Sequence, residues 1–142
     1  MTDNKMRGEL TDKVLDFVVA GRAIFTIENV ETGGRFTFKV DKPREDTPHF
    51  VRVLTGPDNG SDYSYLGTIF GGQTWRHGAK SRISATAPSA KAFAWFWGRL
   101  QNGGLPPQVK VYHEGRCGRC GRRLTVPESI VSGFGPVCAG RE

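Results

Sequence analysis

Short runs in which apolar and polar residues alternate recur along this chain, and they constrain its fold more than any other feature. The clearest run is residues 35–40, where Phe36, Phe38 and Val40 alternate with three polar residues. A period of two turns one set of side chains to a core and the other to solvent, which is the pattern of a half-buried β-strand. Further strands are predicted at residues 23–27, 50–54, 63–70 and 74–77, and around Val109 and Val111.

Glycine-rich and proline-rich connections separate these runs. Gly33-Gly34 and Gly71-Gly72 suit tight turns, and residues 55–60 read Thr-Gly-Pro-Asp-Asn-Gly. Glycine adopts the backbone conformations of such turns without steric cost. Because short connections join antiparallel neighbours, the sequence predicts an antiparallel sheet of about five or six strands.

One main helix is predicted over residues 88–100. Pro88 fits its first turn, and Phe93, Phe96, Trp97 and Leu100 recur at the i, i+3, i+4 and i+7 positions of one face. An Asn-Gly-Gly sequence and two prolines end it. We expect the apolar stripe to pack on the sheet, so the predicted fold class is α+β.

The chain is expected to have three parts. Residues 1–20 are interpreted as an N-terminal extension that is partly helical, because they begin polar and become apolar from Val14 to Val19. Residues 21–112 form the α+β domain, and residues 113–142 form a separate small unit.

The small unit carries all the cysteines. Cys117, Cys120 and Cys138 have the spacing Cys-x2-Cys-x17-Cys, and the first two let a tight turn grip one zinc ion. Three cysteines at one end do not form a disulfide framework. Buried free cysteines are the alternative, but clustered Cys-Gly-x-Cys-Gly favours a metal. We therefore predict a structural Zn²⁺ in a treble-clef-like or zinc-ribbon-like knuckle.

A structural zinc ion needs a fourth ligand, because the chain supplies three thiolates. His113 is the first choice, since it precedes Cys117 by four residues. The alternatives are His77, His49, Glu114, Glu142 and the C-terminal carboxylate. A catalytic zinc of the deaminase type would need His-x-Glu ahead of Pro-Cys-x-x-Cys, and this sequence lacks that arrangement.

The C-terminal segment also resembles a known domain. It matches a signature with Cys-Gly-x-Cys-Gly-Arg, then Leu-Thr-x-Pro-Glu-Ser, then Gly-x-Gly-Pro-x-Cys. The matching residues are Cys117, Gly118, Cys120, Gly121, Arg122, Leu124, Thr125, Pro127, Glu128, Ser129, Gly133, Gly135, Pro136 and Cys138. This pattern is similar to a short uncharacterised domain found at the C-termini of bacteriophage, plasmid and actinobacterial proteins. The resemblance implies a zinc unit and a phage or mobile-element setting, and it implies no activity.

Positive charge is concentrated in the middle of the chain. Residues 1–62 hold nine basic and eleven acidic residues, whereas residues 63–113 hold six basic residues and no Asp or Glu. An acid-free basic stretch suits a polyanionic partner. A solvated basic surface is the alternative interpretation.

Aromatic residues accompany this charge. Lys91, Trp95 and Arg99 fall at successive i+4 positions of the predicted helix, away from its apolar stripe. A tryptophan between two cations suits base stacking, although Trp95 packed on a neighbouring element is the alternative. The full set predicted to bind nucleic acid is Trp75, Arg76, Lys80, Arg82, Lys91, Trp95, Arg99, Arg119, Arg122 and Arg123.

These patterns favour a nucleic-acid-binding accessory protein of a phage or mobile element, acting on single-stranded DNA or RNA. The second hypothesis is a protein-interaction module that inhibits or adapts a host or defence protein. An enzyme is not expected, because phosphate-cradling and nucleophile-elbow motifs are missing from the sequence. No apolar run is long enough to cross a membrane, and the first residues lack the pattern of a signal peptide, so a cytoplasmic protein without a membrane partner is expected.

Overall fold

The computed structural model describes residues 8–10, 13–57, 61–114 and 117–118. These residues form an antiparallel sheet with helices packed on it, so the predicted α+β class agrees with the structure. The elements are β1 (Gly8–Glu9), α1 (Val14–Val18), β2 (Arg22–Asn29), β3 (Arg35–Asp41), β4 (His49–Leu54), β5 (Tyr63–Phe70), β6 (Thr74–His77), α2 (Pro88–Gln101) and β7 (Val109–His113). The six predicted strands and the main helix are confirmed within a few residues of their expected bounds.

The sheet has the strand order β1-β7-β2-β3-β4-β5-β6. Strands β2 to β6 follow one another as hairpins, and β7 returns after α2 to pair with the free side of β2. The described sheet has seven strands, one more than the predicted maximum, because Gly8 and Glu9 pair with β7. A strand of two residues is too short to show alternation, so the sequence pattern does not predict it.

The core lies between one face of the sheet and α2. Phe38 meets Phe93 with ring centroids 5.1 Å apart, and Phe25 meets Phe96 at 5.6 Å. All four rings are fully buried. Aromatic rings of this size dominate the hydrophobic stabilisation of a small domain. The predicted stripe on α2 therefore packs on the sheet as expected.

Residues assigned to the N-terminal extension lie against this same body. Phe17 of α1 is fully buried and meets Phe25 edge-on, with centroids 6.5 Å apart. The backbone N–H of Leu10 donates to the carbonyl of Val111 at 2.7 Å, which prolongs the β1–β7 pairing. Helix α1 thus covers the same face of the sheet as α2.

An irregularity in the ladder between β4 and β5 affects the surface of the sheet. Val51 is opposite Gly67, but Arg52 is opposite Tyr65, so Leu66 is an extra residue on β5. A bulge of this kind locally increases the twist of the strand and re-aims its side chains. Tyr65 therefore projects on the same face as Arg52.

We expect Gly67→Ala to destabilise the protein by roughly 1–3 kcal/mol, because an added methyl group overpacks a full core. A Cβ at Gly67 would collide with the ring of Trp75 and the backbone carbonyl of Arg76. Urea-induced unfolding measures the free energy of unfolding.

The matched control is Gly98→Ala in α2, where a Cβ would meet nothing within 4 Å. Alanine has a higher helix propensity than glycine, so this variant gains roughly 0.5–1 kcal/mol. Equal changes in the two variants would contradict the packing described around Gly67.

Candidate nucleic-acid interface and metal centre

In the part of the chain that the structure describes, both helices pack on one face of the sheet, and none packs on the other. We call that second face, across β3 to β6, the open face. Its outward-pointing side chains follow from the strand register. They are Arg35, Thr37, Lys39, Asp41, Phe50, Arg52, Leu54, Tyr63, Tyr65, Thr68, Phe70, Thr74 and Arg76.

Aromatic rings and cations are interleaved on the open face. Phe70 is 47% exposed, and Arg76, which is opposite Thr68, is also exposed. The ammonium nitrogen of Lys39 lies 5.7 Å from the ring centroid of Tyr63, within the range of a cation–π interaction.

The charge of the open face is positive across β4, β5 and β6, which contain no Asp or Glu. At the β3 side, Asp41 forms a hydrogen-bonded ion pair with Arg52. That carboxylate neutralises one cation and leaves Arg35, Lys39 and Arg76 to set the sign of the surface. Rings beside cations on an uncovered sheet are suited to binding a single-stranded nucleic acid.

Sequence reasoning missed the four rings of this surface, Phe50, Tyr63, Tyr65 and Phe70. Apolar character in a strand normally indicates the core face, and residues 63–70 are aromatic or apolar at both phases of the alternation. The bulge at Leu66 also shifts the phase between Tyr65 and Gly67. The signal available in the sequence was that Phe50 has the same phase of alternation as Arg52, so a large ring points outward beside a cation.

The predicted nucleic-acid residues of the middle region divide between the two faces. Trp75 projects toward the helices and packs on Phe93, with ring centroids 4.7 Å apart, so its ring belongs to the core. Arg76, one residue later, projects from the open face. Lys80 and Arg82 line a small cavity beside Tyr65 at the edge of that face.

The predicted helix platform lies on the opposite side of the molecule. Lys91, Trp95 and Arg99 are exposed on α2, and Trp95 is 45% exposed. Arg99 donates through Nε to the carbonyl of Gly104 at 3.0 Å, and the Gly104 N–H donates to the Arg99 carbonyl at 2.8 Å, a bond that caps the end of the helix. The ring of Trp95 borders a cleft of about 280 Å³ that Phe36 also lines.

Two of the predicted metal ligands lie in the described part of the chain, and both are fully buried. The side chain of His113 projects from β7 toward the helices, where its ring centroid is 6.2 Å from that of Phe17. Cys117 joins the same hydrophobic cluster. Gly118 follows it, and its carbonyl accepts a hydrogen bond from the Arg22 N–H at 2.8 Å.

Close packing fixes this segment. A Cβ at Gly118 would overlap the ring of Phe17, so only glycine allows the chain to approach so closely. His113 and Cys117 are thereby held on the same side of the sheet, around Phe17. A thiol and an imidazole, both shielded from water, are the donor types that zinc prefers.

Each alternative histidine uses one ring nitrogen in a hydrogen bond to a backbone carbonyl, which leaves its other nitrogen able to bind a metal. His49 donates through Nε2 to the Val19 carbonyl at 2.9 Å, and His77 donates to the Ile83 carbonyl at 2.6 Å. Four strand spacings separate β6 from β2, where Gly118 is attached, so His77 lies about 19 Å from the cysteine segment.

Glu114 is also separated from Cys117. Its carboxylate accepts a hydrogen bond from the hydroxyl of Thr26 at 2.8 Å, and Thr26 projects from the face opposite the helices. His113 contacts Phe17, on which Gly118 also packs, so the structure places this histidine beside the segment that contains Cys117.

Several predicted residues lie outside the described residues. They are Cys120, Cys138, Glu142, Arg119, Arg122 and Arg123. Within residues 8–10, 13–57, 61–114 and 117–118, no three His, Cys, Asp or Glu side chains meet as a ligand group. No helix in that same part of the chain has the length and apolar character to cross a membrane.

The fold and the site define a two-layer α+β protein with an open aromatic and basic sheet face. Residues 110–142 match the model of a family of unknown function, DUF6011. The match begins in β7 and includes His113 and every cysteine of the chain, but it covers less than half of the sequence. No curated protein and no solved structure gives a significant match.

Proposed function

We propose that this protein binds single-stranded nucleic acid on the open face, as an accessory protein of a phage or mobile element. One observation carries the proposal: four aromatic rings and four cations, beside one acidic residue, share a sheet face that no described helix covers. The role proposed is binding, with no catalysed reaction.

The physical basis is the complementarity of this face to an unpaired strand. Bases of every type have a π-face that stacks on an aromatic ring, and the backbone phosphates attract the cations beside it. Reading base pairs in duplex DNA would instead need a projecting helix that presents Asn, Gln and Arg to the major groove. The exposed surface of α2, with Lys91, Trp95 and Arg99, lies on the opposite side of the sheet and is outside the proposed binding surface.

We expect Phe70→Ala to weaken binding to a single-stranded oligonucleotide by roughly 1–3 kcal/mol, the contribution of one stacked base. Phe70 is 47% exposed, so removing its ring leaves the core intact. Fluorescence anisotropy across a salt series measures the dissociation constant. Affinity should fall steeply as salt rises, because phosphate contacts release counterions.

Trp95→Ala is the matched control, because Trp95 is almost equally exposed, at 45%, on the opposite side of the sheet. It should leave the affinity unchanged. Loss of affinity in Trp95→Ala with none in Phe70→Ala would move the interface to the α2 platform. Absence of binding to DNA and RNA at low salt would end the proposal.

The second part of the proposal is a structural zinc ion held by Cys117, Cys120, Cys138 and His113. The complete burial of His113 and Cys117 around Phe17 supports it, as does the sulfur-rich donor set. The ion would join β7 to the cysteine unit and contribute to the folding of the last strand. Its role would be to hold these residues together.

We expect the purified protein to contain about one zinc per chain, because the four proposed ligands make up one structural site. His113→Asn should lower this content, while His77→Asn should leave it unchanged, because His77 lies far from Cys117 along the sheet. Elemental analysis measures the metal, and circular dichroism confirms that each variant is folded. Full zinc content in a folded His113→Asn protein would contradict this ligand set.

A second candidate function is a protein-interaction module acting on a host or defence protein. The cleft beside Trp95 favours it, because Phe36, Ile27 and Val109 give that cleft apolar walls. Exposed tryptophans next to apolar pockets are frequent energetic centres of protein interfaces.

For this candidate, we expect affinity purification from host lysate to recover one partner that resists nuclease treatment. Trp95→Ala should abolish the recovery, because truncating a central tryptophan typically costs about 2 kcal/mol or more. Phe70→Ala is the control and should retain the partner. Recovery that disappears with nuclease would assign the association to nucleic acid.

A further inference from the structure

A small basic cavity lies at the edge of the open face, next to the connection between β6 and α2. Its volume is about 250 Å³. The residues that line it are Ser64, Tyr65, Lys80, Ser81 and Arg82. Tyr65 belongs to both the cavity and the open face, so the two are continuous.

The loop that carries Lys80 and Arg82 is held on β5 by hydrogen bonds to backbone carbonyls of that strand. The N–H of Gly78 donates to the carbonyl of Leu66 at 3.0 Å. The hydroxyl of Ser81 donates to the carbonyl of Tyr65 at 2.7 Å. The same Ser81 oxygen accepts from the N–H of Ile83 at 3.0 Å, a local bond that stabilises the turn.

Glycine at position 78 allows this arrangement. A Cβ there would overlap the ring of Tyr65, so the loop lies directly against that ring. Ser81 is anchored between Lys80 and Arg82, and both flanking side chains are exposed. The two cations are therefore carried by a hydrogen-bonded turn that lines the cavity.

The residues that line this cavity favour an anion as its ligand. Lys80 and Arg82 are the charged residues that line the space, and none of the lining residues is acidic. The hydroxyls of Ser64 and Ser81 are hydrogen-bonded within the protein, to Thr55 at 3.0 Å and to the Tyr65 carbonyl at 2.7 Å, so the two cations are the groups available to an anion. Arginine offers a planar fork of donors to an oxyanion, and lysine adds a mobile point charge, a combination that suits phosphate.

We propose that this cavity is a phosphate subsite, which receives a phosphate of the strand bound on the open face. The inference rests on the proposed function, because Tyr65 connects the stacking surface to the cavity. The phosphate belongs either to the end of a strand or to its backbone. Both sources present the same oxyanion to Lys80 and Arg82.

The experiment compares one short oligonucleotide with and without a terminal phosphate, bound to the wild-type chain and to Lys80→Gln/Arg82→Gln. We expect the double variant to lose about tenfold in affinity for the phosphorylated strand, the equivalent of one charge-assisted hydrogen bond. A loss limited to the phosphorylated strand identifies a terminal phosphate. A loss on both strands, with a salt dependence lowered by roughly 0.7 per lost contact, identifies the backbone.

Lys91→Gln/Arg99→Gln is the matched control, because it removes the same charge from the opposite side of the sheet. Equal effects of the two double variants on both strands would overturn the subsite.

A titration with inorganic phosphate, followed by the amide chemical shifts of Lys80 to Arg82, separates this inference from the proposed function. If phosphate shifts these amides but no oligonucleotide binds, the subsite is retained and the proposed function is wrong. If an oligonucleotide binds but neither phosphate nor the double variant has an effect at the cavity, the proposed function is retained and the subsite is wrong.

Discussion

The structure depends first on the aromatic cluster that joins α2 to one face of the sheet. Phe25 and Phe38 of the sheet pack against Phe96 and Phe93 of α2, and these rings bury the facing apolar surfaces of both layers. A single helical layer buries only one face of a sheet, so the other face stays in contact with water unless another element covers it. The candidate interface follows from this asymmetry, because the open face is the part of the sheet left available for a partner.

The pairing of β7 with β2 is the second constraint, because it joins residues far apart in the sequence. It places Val111 opposite Ile27 and His113 opposite Phe25, at the end of the aromatic cluster. The cysteine segment then leaves the sheet beside Phe17, where Gly118 is attached to the start of β2. A metal held by His113 and Cys117 would therefore act on the packing of the main domain and on the cysteine unit together.

Much of this fold could be predicted from local pattern, because alternation and helical spacing report which side of an element is buried. Residues 35–40 and the stripe on α2 behaved as their periodicity indicated. The pairing of Gly8 with β7 could not be predicted, because two residues carry no period. The role of Trp75 was hidden for a different reason: its position on the helix side depends on the register between β5 and β6, which local pattern does not specify.

The register also changes how the basic charge of residues 63–113 is understood. In sequence these cations form one acid-free stretch, but the fold divides them, so that Arg76 lies on the open face and Lys91 on the exposed side of α2. A polyanion that contacts one side cannot neutralise both groups at short range, because charges beyond about 8–10 Å are screened at physiological salt. The open face has four aromatic rings, whereas the exposed side of α2 has Trp95, so the open face would offer more stacking in addition to charge. Under the proposed function, charge would attract a strand to either side of the protein, and the rings would decide which side holds it.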